Sequence, residues 1–262
     1  MAIIDVRTWS ECLKRQISFK LILPNDVDGS NNPNYNRPTK MLLLLHGYCG
    51  IGDEWLWNSP VNELAAKYNL CIVMANGENS FYTDGVATGR KYATYVGEEI
   101  PAYVQKTFGL SVKREDTFVG GFSMGGFGAL HTALQFPERF GGLIALWSAL
   151  LTYQLDKVPR EGNGVANYEY YELMFGDLEK ARTGDNDPET MIEKIVADKR
   201  QLPKIYFACG TEDFLREPNR VLHTFLEDRN IAHLYEEGPG EHNYQFWNPY
   251  LERGIKWLLG ID

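Results

Sequence analysis

Five short apolar runs do most to limit what this chain can fold into. "MLLLLHG" (41–47), "LCIVMANG" (70–77), "TFVGGF" (117–122), "GLIALWSA" (142–149) and "KIYFACG" (204–210) are each bounded by turn residues, and their hydrophobicity is continuous rather than alternating. Runs of that kind suit strands buried on both faces of a parallel sheet, with helices covering each side. Between them the periodicity changes. Val61, Leu64, Ala65 and Tyr68 share one helical face after Ser59-Pro60, which predicts a serine N-cap with proline at the first helical position. Ile100, Tyr103, Val104 and Phe108 form a second such face, and Leu251, Ile255 and Leu258 a third after Asn248-Pro249. Strands alternating with helices predict a doubly wound, mostly parallel α/β sheet. "ISFKLILP" (17–24), before the polar "NDVDGSNNPNYNRP", reads as a shorter strand at an antiparallel edge.

With 262 residues, 44% of them hydrophobic, the chain can build one large core, so residues 1–262 are read as a single α/β domain. Only 150–203 breaks the rhythm. It holds Tyr168, Tyr170, Tyr171 and Phe175, the polar "RTGDNDPET" and the helical "MIEKIVADK". An insertion of this length between two strands serves as a lid or binding element, or stands as a peripheral helical excursion with its own small core.

The net charge of -9 repels a phosphate backbone, and no Lys/Arg cluster offsets it, so nucleic acid is not expected as a partner. "MAIIDVRTWSECLKRQ" reaches Asp5 and Arg7 too early for a signal-peptide core, and no apolar run approaches membrane-spanning length. A soluble, cytoplasmic protein without membrane partners is the expectation. Cys12, Cys49, Cys71 and Cys209 are scattered and form no CxxC pair, which predicts neither a disulfide framework nor a zinc site. Cys71 and Cys209 lie in strand-like runs and read as core residues.

One serine sits among glycines where the third run meets a helical pattern. "GGFSMGGFGAL" (120–130) contains G-x-S-x-G at Gly121–Gly125, after a predicted strand and before a helix with Phe127, Leu130 and Leu134 on one face. A serine on so sharp a strand-to-helix turn is strained, and side chains two residues either side would collide with it. A turn whose serine merely caps the helix would explain the pentapeptide but not its setting. Ser123 is therefore the candidate nucleophile, with the dipole of the following helix favouring developing negative charge beside it.

In this architecture an acid and then a histidine follow the serine in the chain. "FACGTEDF" (207–214) places Glu212 and Asp213 directly after an apolar run, and spacing does not choose between them. His242, in the Gly/Pro loop "EEGPGEHNYQFW" (236–247), is the candidate base. His131, His223 and His233 fall within a helix, a second helix and an alternating strand, and read as packing or surface residues. His46 ends a buried strand in "LLLLHGYCG", where such a fold carries its second oxyanion donor, so the backbone N–H groups of Tyr48 and Met124 are the candidate oxyanion hole. His46 itself is expected to orient that loop by hydrogen bonding. Phe81, Tyr82 and Trp147 follow predicted strands on the same side of the sheet and are candidate substrate-pocket residues, or ordinary packing beneath loops.

Taken together, "LLLLHGYCG", "MANGENSFYTDG" (74–85), "GGFSMGGFGAL", "GTEDF" and "GEHNYQFW" resemble the esterase D-like group of α/β-hydrolases, most of all the tributyrin esterases and related acetyl and feruloyl esterases. The resemblance runs from about residue 18 to the C-terminus and is weakest over 150–203. It implies Ser123 as nucleophile, Asp213 as acid, His242 as base, donors from Tyr48 and Met124, and no metal or organic cofactor. A small-molecule ester is the implied substrate, with short acetyl, butyryl or feruloyl groups and carbohydrate fragments among the expected carriers. S-formylglutathione hydrolases belong to the same group, but histidine usually flanks their serine where this chain has Phe122 and Phe127; Cys49 beside the oxyanion loop keeps that thioesterase alternative. Acyl transfer on the same triad is another alternative, and a homo-oligomer is compatible with the aromatic content of 150–203.

Overall fold

The computed structural model describes residues 1–261. Its strands are β1 (Ala2–Ser10), β2 (Arg15–Leu23), β3 (Lys40–Leu45), β4 (Leu70–Ala75), β5 (Thr117–Phe122), β6 (Gly142–Leu146), β7 (Lys204–Gly210) and β8 (His233–Gly238). Between β3 and β4 lie α1 (Glu54–Asn58) and α2 (Val61–Tyr68). The β4–β5 connection holds α3 (Tyr92–Thr94), a π turn at Tyr95–Glu99 and α4 (Ile100–Phe108) in unbroken succession. Helix α5 (Met124–Gln135) links β5 to β6, α6 (Tyr168–Phe175) and α7 (Pro188–Ala197) precede β7, and α8 (Arg216–Asp228) and α9 (Tyr244–Leu259) follow it and β8 respectively.

All eight strands join one sheet in the order β1-β2-β4-β3-β5-β6-β7-β8. From β4 to β8 every neighbouring pair is parallel, while β1 and β2 add an antiparallel end. The continuous apolar runs behave as their composition requires: β4 and β5 are buried at every residue, and β3 at all but Lys40. Cys71 and Cys209 lie buried within β4 and β7. This is the α/β-hydrolase architecture, with helices inserted before the strand that leads to Asp213.

Three sequence expectations change. The antiparallel strand at 17–24 is not the edge: it is β2, and β1, whose exposed face mixes apolar and charged residues, pairs outside it. Ser59 does not cap α2; its hydroxyl donates to the Trp55 carbonyl at the end of α1, and α2 begins after Pro60. Helix α9 starts at Tyr244, ahead of Asn248-Pro249, so Pro249 lies inside it.

Register explains where a site can form. Leu45 pairs with Gly121, Gly121 with Ala145, and Ala145 with Phe207, so these four residues stand at one level near the carboxyl ends of β3, β5, β6 and β7. Loops leaving those carboxyl ends converge, as in other open α/β sheets.

Candidate active site

The turn at Ser123 is built by backbone. Strand β5 ends at Phe122 and α5 begins at Met124, leaving Ser123 alone between them with φ 56° and ψ -120°. A non-glycine residue held there costs about 1–3 kcal/mol and persists only where its surroundings fix it. The Ser123 N–H donates to the Leu146 carbonyl at 2.9 Å, and its own carbonyl accepts from the N–H groups of Phe127 at 3.1 Å and Ala149 at 3.0 Å. Close approach accounts for the flanking glycines. A Cβ on Gly121 would stand 2.3 Å from the Gly125 carbonyl oxygen, and one on Gly125 would stand 2.3 Å from that of Leu45.

The contact between Gly125 and the end of β3 brings the 46–50 loop against the elbow. His46 is fully buried there; its Nε2 accepts the Gly77 N–H at 2.9 Å, so its Nδ1 carries the proton and donates to the Gly47 carbonyl at 2.7 Å. Burial holds its pKa below the usual histidine value. A neutral imidazole thus ties the β3 loop to the loop after β4, in keeping with the orienting role expected of it. Met124 opens α5, so its N–H has no carbonyl partner within the helix, and among the described residues the Tyr48 N–H has no protein acceptor.

Asp213 and His242 meet. Their loops follow β7 and β8, and His242 Nδ1 lies 2.7 Å from Asp213 Oδ2. The Asp213 side chain is fully buried, and its Oδ1 accepts the Leu215 N–H at 2.8 Å. Glu212, left open by spacing, turns the other way: its carboxylate accepts the Gly240 N–H while its own N–H donates to the Gly240 carbonyl at 3.3 Å. It therefore fastens the loop after β7 to the loop after β8 without bonding to the imidazole among the described residues. Trp247 sets its ring edge-on to His242 at 5.0 Å between centroids, and Phe214, 77% exposed, lies at 5.2 Å.

Of the three aromatic pocket candidates, two lie beneath the site. Tyr82 and Trp147 have no exposed surface; the Tyr82 hydroxyl donates to the His46 carbonyl at 3.0 Å, and Trp147 packs on Tyr250. They brace the floor and meet no ligand without moving, because bulky rings at strand ends were free to turn inward. Phe81, 4% exposed, joins Tyr48, Tyr170 and Phe175 at centroid distances of 5.3–6.5 Å. The insertion thus reaches the 46–50 loop through Tyr170, whose ring meets Tyr48 at 5.9 Å and whose hydroxyl donates to the Asn79 carbonyl.

Sequence reasoning missed Asn219. It is fully buried on α8, where its Nδ2 donates to the Ser148 carbonyl at 2.9 Å and the Leu215 carbonyl at 2.8 Å. Since Ala149 is bonded to Ser123 and Leu215 to Asp213, Asn219 joins the turn at Ser123 to the loop carrying Asp213. An asparagine in an otherwise amphipathic helix gives no local signal of this.

His131, His223 and His233 sit apart from these loops, within α5, α8 and β8. His131 is buried against Asn186, and His223 and His233 bond to each other at 2.8 Å. Among the described residues, no cluster of three His, Cys, Asp or Glu side chains could hold a metal ion, and no helix is long and apolar enough to cross a membrane.

Comparison with known proteins identifies the family. The family model described as "Putative esterase" matches residues 10–258. An acetyl esterase of Caldicellulosiruptor saccharolyticus is 38% identical over the full length of both chains. Among solved structures, a fluorophosphonate-binding serine hydrolase of Staphylococcus aureus superposes with a TM-score of 0.84 at 28% identity, covering 98% of each chain. An S-formylglutathione hydrolase from the same organism gives 0.83 at 29% identity, with the same coverage.

Proposed function

The chain belongs to the esterase family of α/β-hydrolases, and from that premise we propose that it is a serine carboxylesterase acting on short-chain acyl esters through a Ser123–His242–Asp213 triad. The observation that carries the proposal is the 2.7 Å contact between His242 Nδ1 and buried Asp213 Oδ2, on loops at the same sheet edge as the strained Ser123.

A serine hydroxyl is a weak nucleophile and needs a base. With Nδ1–H donated to Asp213, His242 keeps the Nε2 lone pair free to take the Ser123 proton as Oγ attacks the ester carbonyl. Asp213 holds that tautomer and stabilises the imidazolium. The oxyanion of the tetrahedral intermediate is received by the Tyr48 and Met124 N–H groups, each worth about 10²–10³ in rate if it behaves as measured donors do. The protonated imidazole then gives its proton to the leaving alcohol. Water, activated by the same histidine, attacks the acyl-enzyme carbonyl, releases the acid and restores Ser123.

Acetyl to butyryl groups are the proposed acyl range. The rings of Tyr48, Phe81, Tyr170 and Phe175 crowd the side of the oxyanion loop, and the acetyl esterase relative points the same way. Thioester hydrolysis of the S-formylglutathione type is the second reading, favoured by the 29% identical hydrolase structure and by exposed Cys49, whose N–H is held by Asn79 Oδ1 at 2.7 Å. The test is kcat/KM for p-nitrophenyl esters from acetate to palmitate, alongside S-formylglutathione, with wild type and Ser123→Ala. The proposal expects short oxygen esters to be preferred and the variant to be inactive. Preference for S-formylglutathione moves the assignment to the second reading, and palmitate turnover equal to butyrate contradicts the acyl range.

A further inference from the structure

Strand β1 ends the sheet, bonded to β2 on one side and to no other strand among the described residues. An unpaired edge is a template for another strand, and proteins commonly blunt such edges with a bulge, a proline or very short length. None of these three is present, and the charged side chains that also guard such edges are here one of each sign, Asp5 and Arg7. Nine residues pair with β2 in unbroken register from Ala2 to Ser10, and "AIIDVRTWS" contains no proline.

Ile3, Asp5, Arg7 and Trp9 occupy one exposed face of this strand. Ile3 is 54% and Trp9 50% exposed. Asp5 and Arg7 make only loose intrachain contacts, 3.9 Å to each other and 3.8 Å from Asp5 to Lys20 Nζ.

The order of these four residues is self-complementary. When two copies of β1 lie antiparallel with Val6 opposite Val6, Ile3 faces Trp9 and Asp5 faces Arg7, and each pair recurs across the two-fold axis. Other registers are penalised. A shift of one residue turns each exposed side chain to the opposite face from its counterpart, and a shift of two sets Asp5 against Asp5 or Arg7 against Arg7. We propose that the free edge of β1 docks a second copy of this chain by antiparallel β1–β1 pairing about Val6, joining two eight-stranded sheets into one.

A net charge of -9 opposes association, so the local carboxylate–guanidinium pairs supply the complementarity that the whole surface lacks. Strand β5, which leads to Ser123, is four strand spacings away, about 19 Å, so pairing leaves the cleft open. The inference is independent of the proposed ester chemistry.

The experiment is light scattering coupled to size exclusion, on wild type, Asp5→Arg, Arg7→Asp and the double swap, with circular dichroism confirming the fold of each exposed-site variant. Wild type is expected at a multiple of the 29.9 kDa chain mass, and each single variant at half the wild-type mass. The double swap, and an equimolar mixture of the two single variants, are expected to restore it, because opposite charges again face each other. A monomeric wild type, single variants of unchanged mass, or failure of both the swap and the mixture to reassociate overturns the proposal.

Discussion

Replacing Gly125 by alanine tests the serine turn where its geometry is tightest. The added methyl would lie 2.3 Å from the Leu45 carbonyl oxygen and 2.7 Å from that of His46. Both obstacles are backbone, so no side-chain rotation relieves them. Reaching even the lower end of ordinary contact, 3.4 Å, requires a displacement of about 1.1 Å between the start of α5 and the end of β3. That movement separates the elements that carry Ser123, Met124 and Tyr48. Misplacement by about 1 Å costs about 10² in rate, and overpacking costs about 1–3 kcal/mol of stability. Gly125→Ala is therefore expected to fold, to lose about 100-fold in kcat/KM for p-nitrophenyl acetate, and to melt several degrees lower. Gly109→Ala is the control: it has φ 66° and no atom within 4 Å, so it is expected to lose about 1 kcal/mol and no activity. Wild-type kcat/KM in Gly125→Ala would refute the reasoning.

Other consequences follow from the same contacts. Asp213→Asn leaves a carboxamide 2.7 Å from Nδ1 and frees the wrong tautomer, so kcat for p-nitrophenyl acetate should fall about 10⁴-fold, whereas Glu212→Gln, which does not touch the ring, should cost far less; equal losses would contradict the division of roles. Asn219→Leu removes the amide donor from the Ser148 and Leu215 carbonyls, which keep the backbone N–H groups of Leu150 at 2.9 Å and of residue 219 at 3.3 Å, so each lost bond should cost about 0.5–1.5 kcal/mol, and denaturant unfolding with an unchanged midpoint would count against the link. Burial depresses the pKa of His46 and His131, so between the folded value and the unfolded value of about 6.5 the unfolded chain binds more protons. Their contribution is complete above that unfolded value and is lost as pH falls toward and through the folded one; replacing His131 by a neutral isostere such as glutamine should flatten this part of a stability-against-pH curve, and an unaltered slope would contradict it.

The parts of the fold legible in the sequence are those where one physical demand acts alone. Strands β3, β4 and β5 are covered on both faces, so Leu42, Ile72 and Val119 could only be apolar, and the runs announced them. Strand β1 was obscured because it places apolar residues on both faces, Ile4 and Val6 inward and Ile3 and Trp9 outward, which blurs the period-two pattern. Ser59 and Pro249 misled for a different reason. Capping and helix-start preferences are local, but Ser59 was drawn to the Trp55 carbonyl, and α9 begins early enough to pack Trp247 against His242 and Phe122. At the proposed site, the turn at Ser123 and the loop carrying His242 are legible because close backbone approach demands glycine and an open sheet gathers loops at its carboxyl ends. The choice of Asp213 over Glu212 was not, since it depends on which way two adjacent side chains leave one loop. Buried Tyr82 and Trp147, and the bridging amide of Asn219, express three-dimensional packing that adjacent sequence does not encode.

The central claim is that Ser123 becomes acylated. Acid-quenched mixing of the protein with p-nitrophenyl acetate, followed by peptide mass spectrometry, should place one acetyl group per chain on the peptide containing Ser123. A matching burst of p-nitrophenol is expected, with neither signal in Ser123→Ala. An acetyl group on another residue, or steady turnover by Ser123→Ala at the wild-type rate, would contradict the account.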